Sequence, residues 1–273
     1  MSSEPQSYSL DDLLYLMARL RDPNTGCPWD VKQTYETIAP STIEEAYEVV
    51  DAIERKDYLH LKEELGDLLF QAIFYSQLAK EENLFNFADV IDILVSKLIR
   101  RHPHVFPDGN LYSDVSGAGL TEEAVKKNWE AIKSEERKEK GSAGLLTDVP
   151  TGLPALTRAV KLQKRAAQVG FDWPSVTGVC EKVREELAEL ESAITDGDRV
   201  EQEAELGDML FTCANLARHL KIDPEAALRS ANNKFSRRFS HMEDAAKRQQ
   251  VELHNLSAAE LDELWRSAKK AGE

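Results

Sequence analysis

Apolar residues recur every three or four positions through most of the chain, and runs alternating with period two are nearly absent, so the pattern predicts helices throughout. Ser9 with Asp12 marks the cap of a helix over about 10–21, and Ser41 with Glu44 makes an S-x-x-E capping box for one that reaches about Lys56. Leu61, Leu65, Leu68, Leu69, Ala72 and Ile73 lie at helical spacing within 59–80, and Asn86 opens a fourth helix over about 87–101. The stretch 103–119, rich in Pro, Gly, Ser and Asp, reads as a loop. The segment after Thr121 carries EERKEK and an apolar stripe of only Val125, Trp129 and Ile132, which predicts a charged bridging helix.

After a second breaker-rich stretch at 141–154, the four-helix pattern returns. Helices are expected over about 155–168, 176–195, 199–220 and 224–248, the last with Asp223 as cap and Pro224 at its first position. Ser257 with Glu260 caps one more, ending near Lys269. The expected fold class is therefore all-α, with duplicated four-helix bundles over 1–106 and 154–273 joined by a linker with a charged helix at 107–153.

The duplication extends to chemistry. Glu44, Glu45, Glu48, Glu64 and Asp67 return as Glu185, Glu186, Glu189, Glu205 and Asp208, each displaced by 141 residues. Lys97, Arg100 and Arg101 return as Lys234, Arg237 and Arg238, displaced by 137. A single E-E-x-x-E in a chain with 30% charged residues is an ordinary solvated helix face, but two copies with matched E-x-x-D partners define a site. Residues three and four apart share a helix face, so Glu45 with Glu48, Glu64 with Asp67, Glu186 with Glu189 and Glu205 with Asp208 project in pairs. A short connection between the two helices of each set makes them antiparallel neighbours and brings four acids together. Such a group repels itself unless cations neutralise it, and an all-oxygen ligand set favours Mg²⁺, with Mn²⁺ as the alternative, over Zn²⁺. The sequence contains no Glu-x-x-His, which argues against a di-iron carboxylate bundle.

Composition narrows the classes. The 273 residues are 42% hydrophobic, enough for a real core, and the net charge of −15 opposes binding to nucleic acid or an anionic membrane. The longest uncharged apolar run, Leu68 to Ala79, is twelve residues, well short of the roughly 20 that span a bilayer. The start lacks a basic n-region and an apolar h-region, and the three cysteines form no CxxC pair, so a cytoplasmic protein with reduced thiols is expected.

A hard cation held by few acids commonly receives phosphate oxygens. Lys234 and Arg238, one helical turn apart, can clamp a polyphosphate, and Lys161, Lys164 and Arg165 form a second candidate anion-binding group. Trp265, in a C-terminal helix with few other large apolar residues, is a candidate for stacking on a base. His102 and His104 flank Pro103 and serve equally well as turn residues.

The strings ELGDLLF and ELGDMLF, RRHPHVF, KLQKRAAQVGFDW, NLARHL and NKFSRRF, set around the doubled EExxE and ExxD, resemble the two-domain MazG nucleoside triphosphate pyrophosphohydrolases from about Leu10 to the C-terminus. The resemblance implies an all-α enzyme that hydrolyses nucleoside triphosphates to monophosphate and pyrophosphate with Mg²⁺, acting as a helix-paired homodimer. It carries metal binding onto Glu186, Glu189, Glu205 and Asp208 with Glu185 in support, and in the first copy onto Glu45, Glu48, Glu64 and Asp67 with Glu44. Lys234, Arg238 and Trp265 fall where similar proteins contact the nucleotide. Only the second copy is followed by the Trp265 helix and preceded by the Lys161 to Arg165 group, so turnover is expected there, with Glu185 or Glu186 as proton acceptor. The expected role is broad-range nucleotide-pool house-cleaning or regulation. A reading of a different class, a non-catalytic nucleotide sensor or helical scaffold, predicts saturable binding without pyrophosphate release.

Overall fold

The computed structural model describes residues 7–113, 119–139 and 144–272. Every regular element among them is helical: α1 (Leu10–Leu20), α2 (Pro28–Lys32), α3 (Tyr35–Arg55), α4 (Tyr58–Glu81), α5 (Phe87–Arg101), α6 (Glu122–Glu139), α7 (Ala155–Ala167), α8 (Val176–Asp196), α9 (Arg199–His219), α10 (Pro224–Arg248) and α11 (Ala258–Lys270), with a 3₁₀ turn at Leu253–Asn255. The all-α class is thus as expected. The chain divides into two compact units, Met1–Glu135 and Glu136–Glu273, and the division falls inside α6. No helix among the described residues is long and apolar enough to cross a membrane.

Most caps fall where the sequence puts them. Ser9 with Asp12, Asn86 with Asp89, and Ser257 with Glu260 close reciprocal capping boxes, and Asp223 caps α10 ahead of Pro224. The expected cap at Ser41 is not a boundary. Helix α3 begins about two turns earlier, under Thr34, whose side chain accepts from the Thr37 amide, and Pro40 and Ser41 lie inside the helix. Pro40 costs α3 one hydrogen bond. The added turn offsets this by burying Ile38 in the core and stacking Tyr35 on Tyr75, with ring centroids 6.2 Å apart. The short α2 was not expected at all. Pro28 starts it at N1, and Arg21 holds it by donating to the carbonyls of Asp30 and Gln33.

In the first unit Met17, Ile38, Ile73, Phe74 and Leu78 are buried together, with Leu13, Leu14, Phe70 and Tyr75 packed around them. Arg21 reaches this core from α1, forks onto Glu81 of α4 at 2.7–3.1 Å, and lays its guanidinium 5.2 Å from the centre of the Phe74 ring. Helix α5 is amphipathic but buries no residue within the unit.

The second unit pairs α8 with α9, sets α7 against α9 and α11 against α10. Its buried apolar positions are smaller, namely Val149, Ala159, Val179, Ala193, Ala214, Met242, Ala246 and Ala268, and they lie alongside buried Gln163, Glu186, Thr212 and Asn215. Each unit therefore holds one long helical hairpin, α3–α4 or α8–α9. Its two-residue hinge is Lys56–Asp57 in one and Gly197–Asp198 in the other, the first residue left-handed (φ 58° and 76°) and the aspartate capping the helix that follows.

Candidate active site

The acidic residues meet across these hairpins. E-E-x-x-E lies on the first helix of each and E-x-x-D on the second, so antiparallel packing turns four sequence-distant carboxylates toward one another. In the first unit Glu45, Glu48 and Glu64 each place a carboxylate oxygen within 4.8 Å of the others, and in the second Glu186, Glu205 and Asp208 do so. Asp67 and Glu189 stand just outside these trios but act on them electrostatically. Burial first, then the charges of Asp67, Glu48 and Glu64, hold Glu45 above the usual carboxylate range. Burial first, then Glu189, Glu186 and Asp208, does the same to Glu205. Burial also raises Glu64; His60 pulls it down, and Glu48 and Asp67 push it up again. Glu44 and Glu185 face solvent beside the trios.

In each trio one acid lies deep, Glu64 at 6% and Glu186 at 4% exposure, and each has a basic side chain one turn away. His60 Nε2 lies 2.9 Å from Glu64. Lys182 Nζ bridges Glu185 at 2.7 Å and Glu186 at 2.9 Å, and the two carboxylates raise its pKa. Sequence reasoning passed over both residues. The signal was their i, i+4 spacing to the deep acid, which acquires meaning only once that acid is known to be buried. Beside Glu189 and Glu205 a cavity of about 470 Å³ is walled by Asp196, Asp198 and Glu201, a space that admits anions only in company with cations.

The basic candidates are only partly brought together. Arg238 lies 5.6 Å from the centre of the Trp265 ring, which also meets Phe235 at 5.3 Å, so α10 and α11 present a cation over an aromatic face. Lys234 is exposed on α10 one turn from Arg238. Arg165 pairs with Asp148 at 2.7 Å, whereas Lys161 and Lys164 stand exposed on α7. His102 and His104 pack on one another and His102 on Trp129, with His102 Nδ1 2.6 Å from the Leu98 carbonyl, as turn residues would.

Fold and site together define an all-helical protein built on paired carboxylate centres suited to a hard cation. Residues 33–106 match the MazG nucleotide pyrophosphohydrolase domain, and residues 153–235 match the phosphoribosyl-ATP pyrophosphohydrolase family. A nucleoside triphosphate pyrophosphohydrolase of Escherichia coli (strain K12) is 47% identical over 263 residues, spanning 96% of this chain and 97% of that one. The nucleoside triphosphate pyrophosphohydrolase/pyrophosphatase MazG of Thermotoga maritima is 44% identical over 263 residues, 96% of each chain. The chain belongs to the MazG family of nucleoside triphosphate pyrophosphohydrolases. A crystal structure of a mazG-related protein from Thermotoga maritima aligns with 46% of the chain and 99% of its own at 27% identity and a TM-score of 0.37, too slight a likeness to argue from.

Proposed function

We propose that this protein hydrolyses nucleoside triphosphates to monophosphate and pyrophosphate over a broad substrate range, as a homodimeric, cytoplasmic house-cleaning enzyme whose working centre is in the second unit. The observation that carries the reading is the pair of carboxylate trios, each drawn from the acids that keep register on duplicated hairpins, in a chain of this family. The donor set suits Mg²⁺ or Mn²⁺: oxygen ligands from two facing helices, close enough to share one ion, with one acid of each trio deeply buried.

Glu186, Glu205 and Asp208, with Glu189 at their edge, would hold the ion in the second unit, and Glu45, Glu48, Glu64 and Asp67 in the first. The bound ion supplies charge neutralisation and polarisation of a phosphoryl group. Glu185 is exposed beside the trio and tied only to Lys182, which leaves its carboxylate placed to accept a proton from an attacking water. Lys234 and Arg238 would bind phosphate oxygens and offset the charge that develops on them, with Trp265 fixing the Arg238 side chain. Lys161, Lys164 and Arg165 form a second basic group on α7 for the same anion.

The test is pyrophosphate release from a panel of nucleoside triphosphates with and without Mg²⁺, comparing wild type with Glu64→Gln/Asp67→Asn and Glu205→Gln/Asp208→Asn. Release lost only in the second double variant is the expected result. Saturable nucleotide binding by folded wild type with no release from any triphosphate would overturn the enzymatic reading in favour of a sensor.

A further inference from the structure

The carboxylate centre of the first unit has beside it a polar group with nothing to bind. Gln71 of α4 is 7% exposed, and its Oε1 is buried without a hydrogen-bond partner. An amide oxygen taken out of water and left unpaired is costly, and native proteins keep few such atoms without a water or an ion to fill them.

Its place in the hairpin fixes what it faces. Along α4, Glu64, Asp67, Gln71 and Tyr75 follow one another at steps of three and four residues, so they share the face that packs on α3. At one end of that face Glu64 meets Glu45 and Glu48; at the other Tyr75 meets Thr42, their hydroxyls 2.8 Å apart. Gln71 is bracketed between the acid trio and two hydroxyls already engaged with one another. Helical side chains lean toward the N-terminus of their helix and cover the preceding turn, which for Gln71 is the turn of Asp67. Its oxygen is thereby directed at the carboxylates and away from Tyr75.

Ionised carboxylates have no proton to give an acceptor. What unites them with an amide oxygen is a cation, to which both are ligands. The number of such ligands bears on the choice of ion. Mg²⁺ holds on to several waters and takes one or two carboxylates, whereas Ca²⁺ gathers roughly six to eight oxygens and accepts amide carbonyls among them.

The second copy differs at this position. The residue 141 places on is Thr212, which is 5% exposed. Its hydroxyl is carried on Cβ, close to its own helix backbone and two carbons short of where a glutamine oxygen reaches. The acids Glu64 and Asp67 are repeated in Glu205 and Asp208, but the amide is not.

On the reading that the first unit holds a hard cation, we propose that Gln71 Oε1 is a further protein ligand to that ion, beside the carboxylates of Glu45, Glu48, Glu64 and Asp67, and makes the first centre a Ca²⁺-selective structural site. Thr212 leaves the matching position of the second centre open to water or a phosphate oxygen. The two copies then differ in purpose: one ion fastens a hairpin, and the other serves turnover.

The experiment titrates metal ions alone into the full chain, freed of metal with EDTA and carrying Glu205→Gln/Asp208→Asn so that only the first centre binds. Calorimetry should give one Ca²⁺ per chain, held more tightly than Mg²⁺. Gln71→Met, which keeps the length of the side chain and removes its oxygen, should weaken Ca²⁺ binding about tenfold or more and Mg²⁺ binding far less. Gln71→Glu should retain Ca²⁺, a carboxylate oxygen taking the place of the amide one. Unchanged Ca²⁺ affinity in Gln71→Met, or an equal loss for both ions, would overturn Gln71 as a ligand and leave the cation reading of the first unit standing. Binding of neither ion with Gln71 intact would overturn both. A second measurement needs no variant: in wild type enriched with carbon-13 at glutamine Cδ, Ca²⁺ should shift the Gln71 carbonyl resonance saturably. A resonance that stays in place while Ca²⁺ binds would overturn the assignment.

Discussion

Each half of the chain sets a basic side chain one helical turn from its deepest glutamate, but neither the residue nor the helix is the same. The first uses His60 on α4, beside Glu64; the second uses Lys182 on α8, beside Glu186. The duplicate of His60 is Glu201 and that of Lys182 is Ser41, so neither solution exists in the other copy. The carboxylates have kept their register while their neutralisers have not. On the proposed metal binding, the acids would answer to a shared external demand, a cation, and the local basic partners would be separate answers to the cost of burying acids in its absence.

The largest expected effect comes from removing the shared element on one side only. Glu205→Gln/Asp208→Asn should cut pyrophosphate release on the order of a thousandfold, the equivalent of a few kcal/mol of lost transition-state stabilisation, while Glu64→Gln/Asp67→Asn leaves most of it; steady-state kinetics of both decides whether the halves are functionally unequal. Next, the Arg21 clamp belongs to the first unit alone. Arg21→Ala should destabilise that unit by about 2 kcal/mol, less than the 3–5 lost when a wholly buried pair is broken because Glu81 is a third exposed, and denaturant unfolding should show an early transition from that half.

The countercharges give a subtler contrast. Lys182→Met should lower the melting temperature of metal-free protein by a few degrees and enlarge the stabilisation that Mg²⁺ confers, as the ion replaces a lost partner of Glu186. His60→Leu should do likewise at Glu64. The pH profile has two opposed limbs. The folded pKa values of Glu45, Glu64 and Glu205 are raised, so in EDTA stability should rise as the pH falls through them toward the unfolded value. Glu81 has the opposite sign: burial raises it, but Arg21 and Gln77 lower it further, so its contribution is present above the unfolded pKa and is lost as the pH falls through the folded one. Saturating Mg²⁺ should flatten the first limb and spare the second. The smallest effect is at the hinges, where Gly197→Ala should cost about 1 kcal/mol and Lys56→Gly should change stability by a few tenths, since Lys56 already bears the left-handed strain.

Helix identity, most caps and the carboxylate duplication were legible in the sequence because each is a local or register-bound signal. Ser9, Asn86, Asp223 and Ser257 act through neighbours two or three residues away. The start of α3 was misread at Ser41 because Tyr35 and Ile38 gain their partners, Tyr75 and the Met17 core, from helices distant in sequence. Helix α2 escaped for a similar reason: five residues have no periodicity of their own, and a guanidinium from α1 secures them. Gln163 and Asn215 read as unremarkable polar residues on amphipathic helices, and only packing shows both to be interior.

The left-handed hinge also bears on the order of events in folding. Glu186 and Asp208 belong to one uninterrupted hairpin, as do Glu45 and Asp67, so neither cluster needs any other helix for its formation. Contacts this close along the chain form early, before α7, α10 and α11 have docked. During synthesis the first hairpin emerges well ahead of the second, and on the proposed metal binding it would capture an ion while the rest of the polypeptide is still being made. The cation would then act as a nucleus of assembly as well as a reagent, and depletion of divalent ions would slow maturation of the protein as well as its turnover.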